Sequence, residues 1–568
     1  MVASDEEKIA RLELVHRIGV ALSAERDRDR LLEMILLEAK KLCNADGGTL
    51  YLRTDEDTLR FAIMRNDSLG IALGGTTGRP IEIPPLPMRD TAGRPNHNNV
   101  ATCAALMRSS ITIPDAYQAA GFDFQGTKRF DEKAGYRSKS FLTIPLVNSE
   151  FRVIGVLQLL NAQNAAGEVV AFDPEDVHIV EALASQAAVA LDNRLLLDAQ
   201  KKLLESFIQM IATAIDAKSP YTGGHCERVP VLTLMLAEAA QSATEGPFAE
   251  FRLDDEEWYE LKIAAWLHDC GKVTTPVHVM DKATKLETIW DRIDMVRARF
   301  EVLRRDARIR ALEAQIAGNA DAEATLGAEL AKLDEDLAFL VEANTGGEFL
   351  RDEAKARIRE IGAQTYVEGG LPRPLLSADE LDNLLIARGT LTEEERLVIN
   401  GHMVQTIQML EALPFPRNLR RVPEYAGGHH EKMDGGGYPK GIYAGDMSIP
   451  ARMMAIADVF EALTAQDRPY KKGKTLSETM RIMGFMKRDN HLDPQLLDLF
   501  VTSGIYKVYA DRYLPPHLID AVDEAAILAV EPKPFDAPPE EIRAARRARF
   551  LSEYEPLRKS VMGELVES

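Results

Sequence analysis

No apolar run in the sequence approaches the 18 or so residues that a membrane-spanning helix needs, which excludes an integral membrane protein of the helical kind. The opening residues, MVASDEEKIARLELVHRIG, are charged and helical in pattern and lack the apolar stretch of a secretion signal, so the expected location is the cytoplasm. Cysteine is scarce. Cys43, Cys103, Cys226 and Cys270 are the only four, and no spacing among them suggests a disulfide framework or a thiolate metal site. Basic charge is also short, with 68 Lys and Arg against 89 Asp and Glu, a formal net charge of −21. A sequence-independent grip on DNA or RNA needs a basic stripe, and none is present. An anionic substrate would therefore need a local cationic pocket.

What is present is material for several cores. A chain of 568 residues, 46% hydrophobic and 28% charged, is a globular protein of roughly three or four domains at about 150 residues each. Residues from about Asp5 to Cys43 read as two helices, since LLEMILLEAKKLC repeats apolar residues at three and four. TLYLRTD, LRFAIMRN, SITIPD, SKSFLTIPLVN and FRVIGVLQLLN then read as strands, rich in β-branched or alternating apolar residues and broken by Gly, Pro, Asn and Asp. A long helical pattern runs from Pro174 toward Ile215, with Asp173 as its cap.

A helix, a five- or six-stranded sheet and an exit helix resemble a GAF domain, a small ligand-sensing module, over roughly Leu12 to Leu197. FDEKAGYRSKSFLTIPL and VIGVLQLLNA are similar to the GAF domains of cyclic nucleotide phosphodiesterases. Asn161, Phe172 and Asp176 match a signature of that subgroup, while Ala162 and Val177 replace its Lys and Glu. Two readings stay open: a sensor of a small molecule such as a cyclic nucleotide, and a dimerising or purely structural module.

Downstream, histidines gather beside acids in apolar surroundings. His225 follows a Pro-Tyr-Thr-Gly-Gly turn, and EEWYELKIAAWLHDCGK ends its apolar face in His268 and Asp269, with Gly271 and Lys272 behind. His402 lies within a helix opened by Thr392. In YAGGHHEKMDGGGYPKGI, His429, His430, Glu431 and Asp434 precede a run of glycines. Asp458 interrupts the apolar helix IPARMMAIADVFEALTAQDRPYKK. Such groups are costly to bury unless paired, and a metal ion is the natural partner. Five of the eleven histidines join Asp269 and Asp458 at these positions, enough for two ions with room for water and substrate. Mixed imidazole and carboxylate ligands suit iron, manganese or zinc. A carboxylate next to a His can bridge ions about 3.5–4 Å apart, machinery for hydrolysing a phosphate ester.

Between these stretches, from about Leu286 to Arg388, the chain turns rich in Ala, Glu, Leu and Arg. Ile293, Val296, Phe300 and Leu303, and then Leu326, Leu330, Leu333, Leu337 and Leu340, alternate steps of three and four. The expectation is an inserted antiparallel helical hairpin without catalytic residues. The final segment, EEIRAARRARFLSEYEPL, reads as a solvated amphipathic helix or a partner surface.

HDCGK together with HHEKMDGGGYP is identified as the pattern of the HD-GYP family, a branch of the HD phosphohydrolase superfamily that cleaves cyclic di-GMP. The resemblance runs from about Ile211 to Phe500, apart from the insertion. It implies His225, His268, Asp269 and Asp458 as the ligands common to HD enzymes, and His402, His429 and His430 as those of this branch, with Asp269 bridging. It further implies Lys272 at the scissile phosphate or the attacking water, Tyr438 at a guanine or the substrate backbone, and Arg468 and Lys471 on the phosphates. Tyr221 stands where three-metal members carry Glu, so two ions are expected, iron first and manganese as the alternative, over three. His278 and His491 are not carried over as ligands.

The expected fold class is thus multidomain: an α+β GAF domain, antiparallel sheet flanked by helices, joined by a long helix to an all-α HD-GYP domain carrying a helical-hairpin insertion. The expected boundaries are 1–197 for the GAF domain, 174–215 for the connecting helix, 205–520 for the HD-GYP domain, 286–388 for the insertion and 521–568 for a helical tail. The expected activity is hydrolysis of cyclic di-GMP to pGpG and onward to GMP, with another cyclic dinucleotide such as cyclic GMP-AMP, or a silent binding scaffold, as alternatives. An apolar repeat through SQAAVALDNRLLL predicts a homodimer paired along the connecting helix.

Overall fold

A computed structural model describes residues 5–218, 224–346, 349–465 and 473–561, with side chains between residues 13 and 558. The chain divides into two compact units, Met1–Leu204 and Glu205–Ser568. No helix among the described residues is long and apolar enough to cross a membrane.

The first unit is built on one antiparallel sheet of eight strands: β1 (Ala45–Arg53), β2 (Thr58–Asn66), β3 (Ile71–Gly74), β4 (Leu86–Pro87), β5 (Ile111–Ile113), β6 (Phe141–Val147), β7 (Val153–Gln163) and β8 (Val169–Val170). Its order is β3-β2-β1-β7-β6-β5, with β4 added to β2 and β8 to β7. Alternation sorts the side chains. Leu50, Leu52, Leu157 and Leu159 face a core shared with Leu31, Ile35 and Leu36 of the helix Arg28–Leu42 and with Val180, Leu183 and Leu191 of the helix Pro174–Lys218. Tyr51, Leu59, Val153 and Val156 pack on the opposite face against Ala101 and Ala105 of the helix Val100–Met107. This is the α+β arrangement expected. β3, β4 and β8 are too short, and the helices Val100–Met107 and Gln125–Ala134 too weakly patterned, to stand out in the sequence.

The second unit is largely helical. Its core gathers Leu232 and Leu236 from the helix His225–Ser242, Leu261 and Ala264 from Asp255–Leu267, Met453, Ile456 and Phe460 from Ile449–Thr464, and Phe500 from Pro494–Thr502. Start signals in the sequence are used as written. Asp254 with Glu257, Thr392 with Glu395 and Thr475 with Glu478 all close reciprocal capping boxes. The helix read from Thr392 through His402 is in fact two, Glu393–Asn400 and His402–Glu411, meeting at Gly401.

Ile293–Ile316 and Ala322–Asn344 pair antiparallel, with Arg304 on Asp334 and Arg310 on Glu329, and bury Val296, Phe300, Leu333 and Leu340. The stretch that follows is not all helical. β9 (Thr365–Glu368) and β10 (Leu371–Pro374) form a hairpin about Gly369 and Gly370, both at positive φ, a dipeptide turn that the helical composition around it obscures. The two ends of this region are fastened together. Lys285 Nζ donates to the carbonyls of Leu384 and Ile386, the Thr390 hydroxyl to the carbonyl of Lys282, and Lys282 Nζ to Asn383 and Glu395.

One glycine fixes how the fold presents its chemistry. After Asp269 the chain makes a tight 3-10 turn, Cys270–Thr274, against the helix His402–Glu411, and the Gly271 N–H donates to Thr406 Oγ1 at 2.9 Å. A Cβ on Gly271 would lie 2.0 Å from the carbonyl oxygen of His402 and 2.5 Å from the Thr406 nitrogen, so only glycine permits this approach. Gly271→Ala is expected to lower stability by about 1–3 kcal/mol, the usual range for overpacking. The check is the denaturant midpoint for loss of helical circular dichroism in the full chain.

Candidate metal centre

The Asp269 carboxylate lies at the end of an apolar helix and is 1% exposed. His225 Nε2 and His268 Nε2 each approach its Oδ2 at 3.2 Å, and His402 Nε2 and His429 Nε2 approach its Oδ1 at 3.2 and 3.8 Å. Asp458 Oδ1 lies 3.3 Å from His225 Nε2. Among the described residues two sets of ligand atoms result: His225, His268, Asp269 and Asp458, and Asp269, His402, His429 and His430. The seven residues singled out in the sequence as ligands thus meet in one place, with Asp269 common to both sets.

The ring orientations have a local cause. His268, His402 and His429 each donate Nδ1–H to the carbonyl three residues back, Ala265 at 2.8 Å, Ile399 at 2.6 Å and Ala426 at 2.7 Å. A carbonyl can only accept, so the proton sits on Nδ1 and the neutral ring offers its lone pair at Nε2. His225 is held by a carboxylate, Glu461, which is itself ion-paired with Arg228. Sequence reasoning missed Glu461. The signal was its place three residues after Asp458, on the same helix face.

The electrostatics favour a bound cation. Burial foremost, then the neighbouring His268, lowers the pKa of His429 to about 4, and burial with His429 and His402 holds His430 well below the ordinary value. Both rings are therefore neutral ligands near pH 7. Burial opposes charge on Asp269, but Lys272 and His268 outweigh it and hold the carboxyl well below the usual range. Among the described residues, Asp269 Oδ1, His402 Nε2 and His429 Nε2 are buried without a hydrogen-bond partner. Lone pairs facing one another in a dry site are costly unless a cation lies between them. The residues present fit a pair of divalent metal ions.

The site opens into a cavity of about 1280 Å³, lined in part by His225, His402, His430, Asp458, Lys272 and Tyr438. Arg228, Lys282, Arg388, Lys432, Lys474 and Arg488 also line it, so an acidic chain has concentrated cations here. Arg388, Thr345 and Gly346 come from the inserted region or its border, so that region, expected to hold no catalytic residues, contributes to the cavity wall. Lys272 ion-pairs with Asp269. Arg468, Lys471 and Tyr221 lie outside the described residues. His491 lines the cavity and His278 is exposed.

The glycine-rich loop folds back on itself. Glu431, 1% exposed, accepts the backbone N–H of Lys440 and Gly441 through Oε1, and a Cβ on Gly437 would lie 2.4 Å from the Glu431 Cα. Asp434 accepts the N–H of Gly436 in an Asx turn. These two acids therefore shape the loop and belong to neither ligand set. Tyr438 stacks on His430, with ring centroids 4.9 Å apart, and on Phe550, 5.9 Å away, at interplanar angles of 17° and 11°.

In the first unit, the residues proposed for a GAF ligand have other duties. Asn161 is 2% exposed; its Oδ1 accepts from the N–H of Lys139 and Ser140 and its Nδ2 donates to the Tyr136 hydroxyl and the Arg137 carbonyl. Phe172 is buried in the core between sheet and helices. Asp176 occupies the first turn of the helix Pro174–Lys218, where a carboxylate complements the helix dipole. Each of the three thus has a place in the fold of the first unit, with the hydrogen-bonding groups of Asn161 engaged within the protein.

Residues 27–191 match the family model described as GAF domain, and residues 377–496 that described as HD domain. The second match contains His402, His429, His430 and Asp458, while His225, His268 and Asp269 precede it, across the inserted region. A stretch of 123 residues is 40% identical to 3'3'-cGAMP-specific phosphodiesterase 1 of Vibrio cholerae serotype O1, covering 22% of this chain and 28% of that protein. A stretch of 161 residues is 36% identical to a cyclic di-GMP phosphodiesterase of Pseudomonas aeruginosa, covering 28% and 38%. Over 403 residues the chain is 23% identical to 3'3'-cGAMP-specific phosphodiesterase 3 of V. cholerae, covering 67% and 61%. The matches thus span between 28% and 61% of these relatives' own lengths. Residue matches and geometry agree: the chain is an HD-domain protein that also carries a GAF domain.

Proposed function

We propose that the second unit is an HD-GYP phosphodiesterase that opens cyclic di-GMP to linear pGpG under the control of the GAF domain. The observation that carries this reading is the Asp269 carboxylate, whose two oxygens face separate groups of imidazoles inside a cavity bordered by cations. His225, His268, Asp269 and Asp458 would hold one ion and Asp269, His402, His429 and His430 the second. Iron is assigned and manganese is the alternative, both suited to imidazole and carboxylate donors. When bound, such ions supply Lewis acidity and lower the pKa of water toward neutrality.

The chain's own residues do the rest. Lys272, paired with Asp269 and open to the cavity, is placed to offset negative charge as it grows on the phosphoryl oxygens. Lys432, Lys474 and Arg388 draw in a dianionic substrate, with Arg468 and Lys471 assigned to its phosphates. Tyr438, which borders the cavity, is assigned to contact a guanine or the substrate backbone. Glu461 keeps His225 in the tautomer that presents Nε2.

The domain scheme that goes with this reading is a GAF sensory domain over 1–197, a connecting helix over 174–215, an HD-GYP domain over 205–520 with 286–388 inserted, and a tail from 521. The protein acts in the cytoplasm as a homodimer. Val189, Leu196, Leu203 and Met210 recur every seventh residue of the long helix and are 49–59% exposed, the seam of a parallel coiled coil with a second copy. A second substrate, cyclic GMP-AMP, is favoured by one observation, the similarity to two V. cholerae proteins named as 3'3'-cGAMP-specific phosphodiesterases.

Elemental analysis of anaerobically prepared protein is expected to find two transition-metal ions per chain, and Asp269→Asn to leave fewer than one. Product chromatography is expected to show pGpG from cyclic di-GMP, and Lys272→Ala to lower kcat by about 10²–10³-fold with both ions retained. Faster turnover of cyclic GMP-AMP would reassign the substrate, and intact dinucleotide after long incubation would make the protein a binding scaffold. Light scattering at micromolar concentration is expected to give a dimer, and Leu203→Glu with Met210→Glu a monomer.

A further inference from the structure

The C-terminal helix Glu540–Val561 carries a basic, weakly apolar sequence that reads as solvent-facing. Four of its side chains do not behave that way. Phe550 stacks with an offset on Tyr438, ring centroids 5.9 Å apart, and Tyr438 in turn stacks on His430 at 4.9 Å. Arg546 Nη1 donates to the Gly435 carbonyl at 2.7 Å, while Arg543 pairs with Asp446 and lies over the Tyr443 ring. Tyr554, one turn after Phe550, is 3% exposed and packs against Gly401, where an added Cβ would lie 1.8 Å from its ring. Gly401 is the residue at which the helix read as continuous breaks, and His402 follows it.

One helix therefore touches both segments that deliver imidazoles to the second ligand set: the loop behind His430 and the turn before His402. We infer that the C-terminal helix is an integral wall of the metal centre and that Phe550 is a positioning residue, holding Tyr438 and through it His430 by stacking. The rings are nearly parallel, at 11° and 17°, so the stacking runs from Phe550 through Tyr438 to His430. His429 and His268 have carbonyl partners at Nδ1, and His225 has Glu461. Among the described residues His430 shows no such hydrogen bond, and its ring is held by packing on His429, His402 and Tyr438, of which Tyr438 is the contact that leads to the C-terminal helix. Residues that orient metal ligands from behind are typically worth 10–100-fold in metal affinity or activity.

The inference rests on the two-ion reading, and the test separates the two. Full-length protein and its variants are titrated with Mn²⁺, bound ion is counted after desalting, and kcat and KM are measured in parallel. Phe550→Ala is expected to weaken one of the two ions at least tenfold, leave the other unchanged and lower kcat more than it raises KM, with Phe550→Tyr restoring both readouts to within about twofold. Arg546→Ala, which leaves the rings in place, is expected to weaken the same ion several-fold, and it keeps the test available should Phe550→Ala not fold. Two ions of wild-type affinity and unchanged kcat in Phe550→Ala and Arg546→Ala would overturn the positioning role while leaving the two-ion site standing. Fewer than two ions in the unaltered protein would overturn the two-ion reading and this inference with it.

Discussion

A carboxylate sealed from water in an apolar helix end has to be matched by charge, and the second unit is built to match that of Asp269. Each of its oxygens is approached by imidazole nitrogens at 3.2–3.8 Å, and Lys272 closes the set from the cavity side. The convergence is enforced from the backbone, because His268, His402 and His429 all surrender Nδ1 to the carbonyl three residues earlier. Helical geometry thus fixes the tautomer and the aim of each ring before anything binds. The close approach at Gly271 keeps the Asp269 turn in register with the helix that starts at His402.

Much of this was legible because the chemistry is expensive to hide. Histidines and acids inside apolar runs, at His268, Asp269 and Asp458, have few explanations other than mutual pairing or a metal, and Thr392 marked the start of the helical stretch that leads to His402. The sheet of the first unit was likewise readable from alternation, since Leu50 and Tyr51 must face opposite sides. The insertion announced itself through its seam of Val296, Phe300, Leu333 and Leu340.

What escaped reading depends on long-range contact. Glu461 looks like any acid on a helix until Arg228 and His225 arrive from more than two hundred residues away. Gly401 offered only the weak signal of a glycine inside a helical run, and its contact with the Tyr554 ring comes from far down the chain. Phe550 sits in a run of arginines whose composition argues for solvent, yet those arginines find a carbonyl at Gly435 and a carboxylate at Asp446. Asn161 shows a related limit. A motif match suggested a ligand, while four protein hydrogen bonds already occupy the side chain.

The fastened ends of the inserted region carry a consequence for the architecture as a host. Lys285 grips the carbonyls of Leu384 and Ile386, and Thr390 reaches back to Lys282, so the chain departs and returns through one small gate beside the cavity. With that gate closed by its own bonds, the span between the Asp269 turn and the His402 helix is set independently of the hundred or so residues hung outside it. The segment is then anchored at its base, where Thr345, Gly346 and Arg388 border the cavity, while its distal hairpin extends from that base.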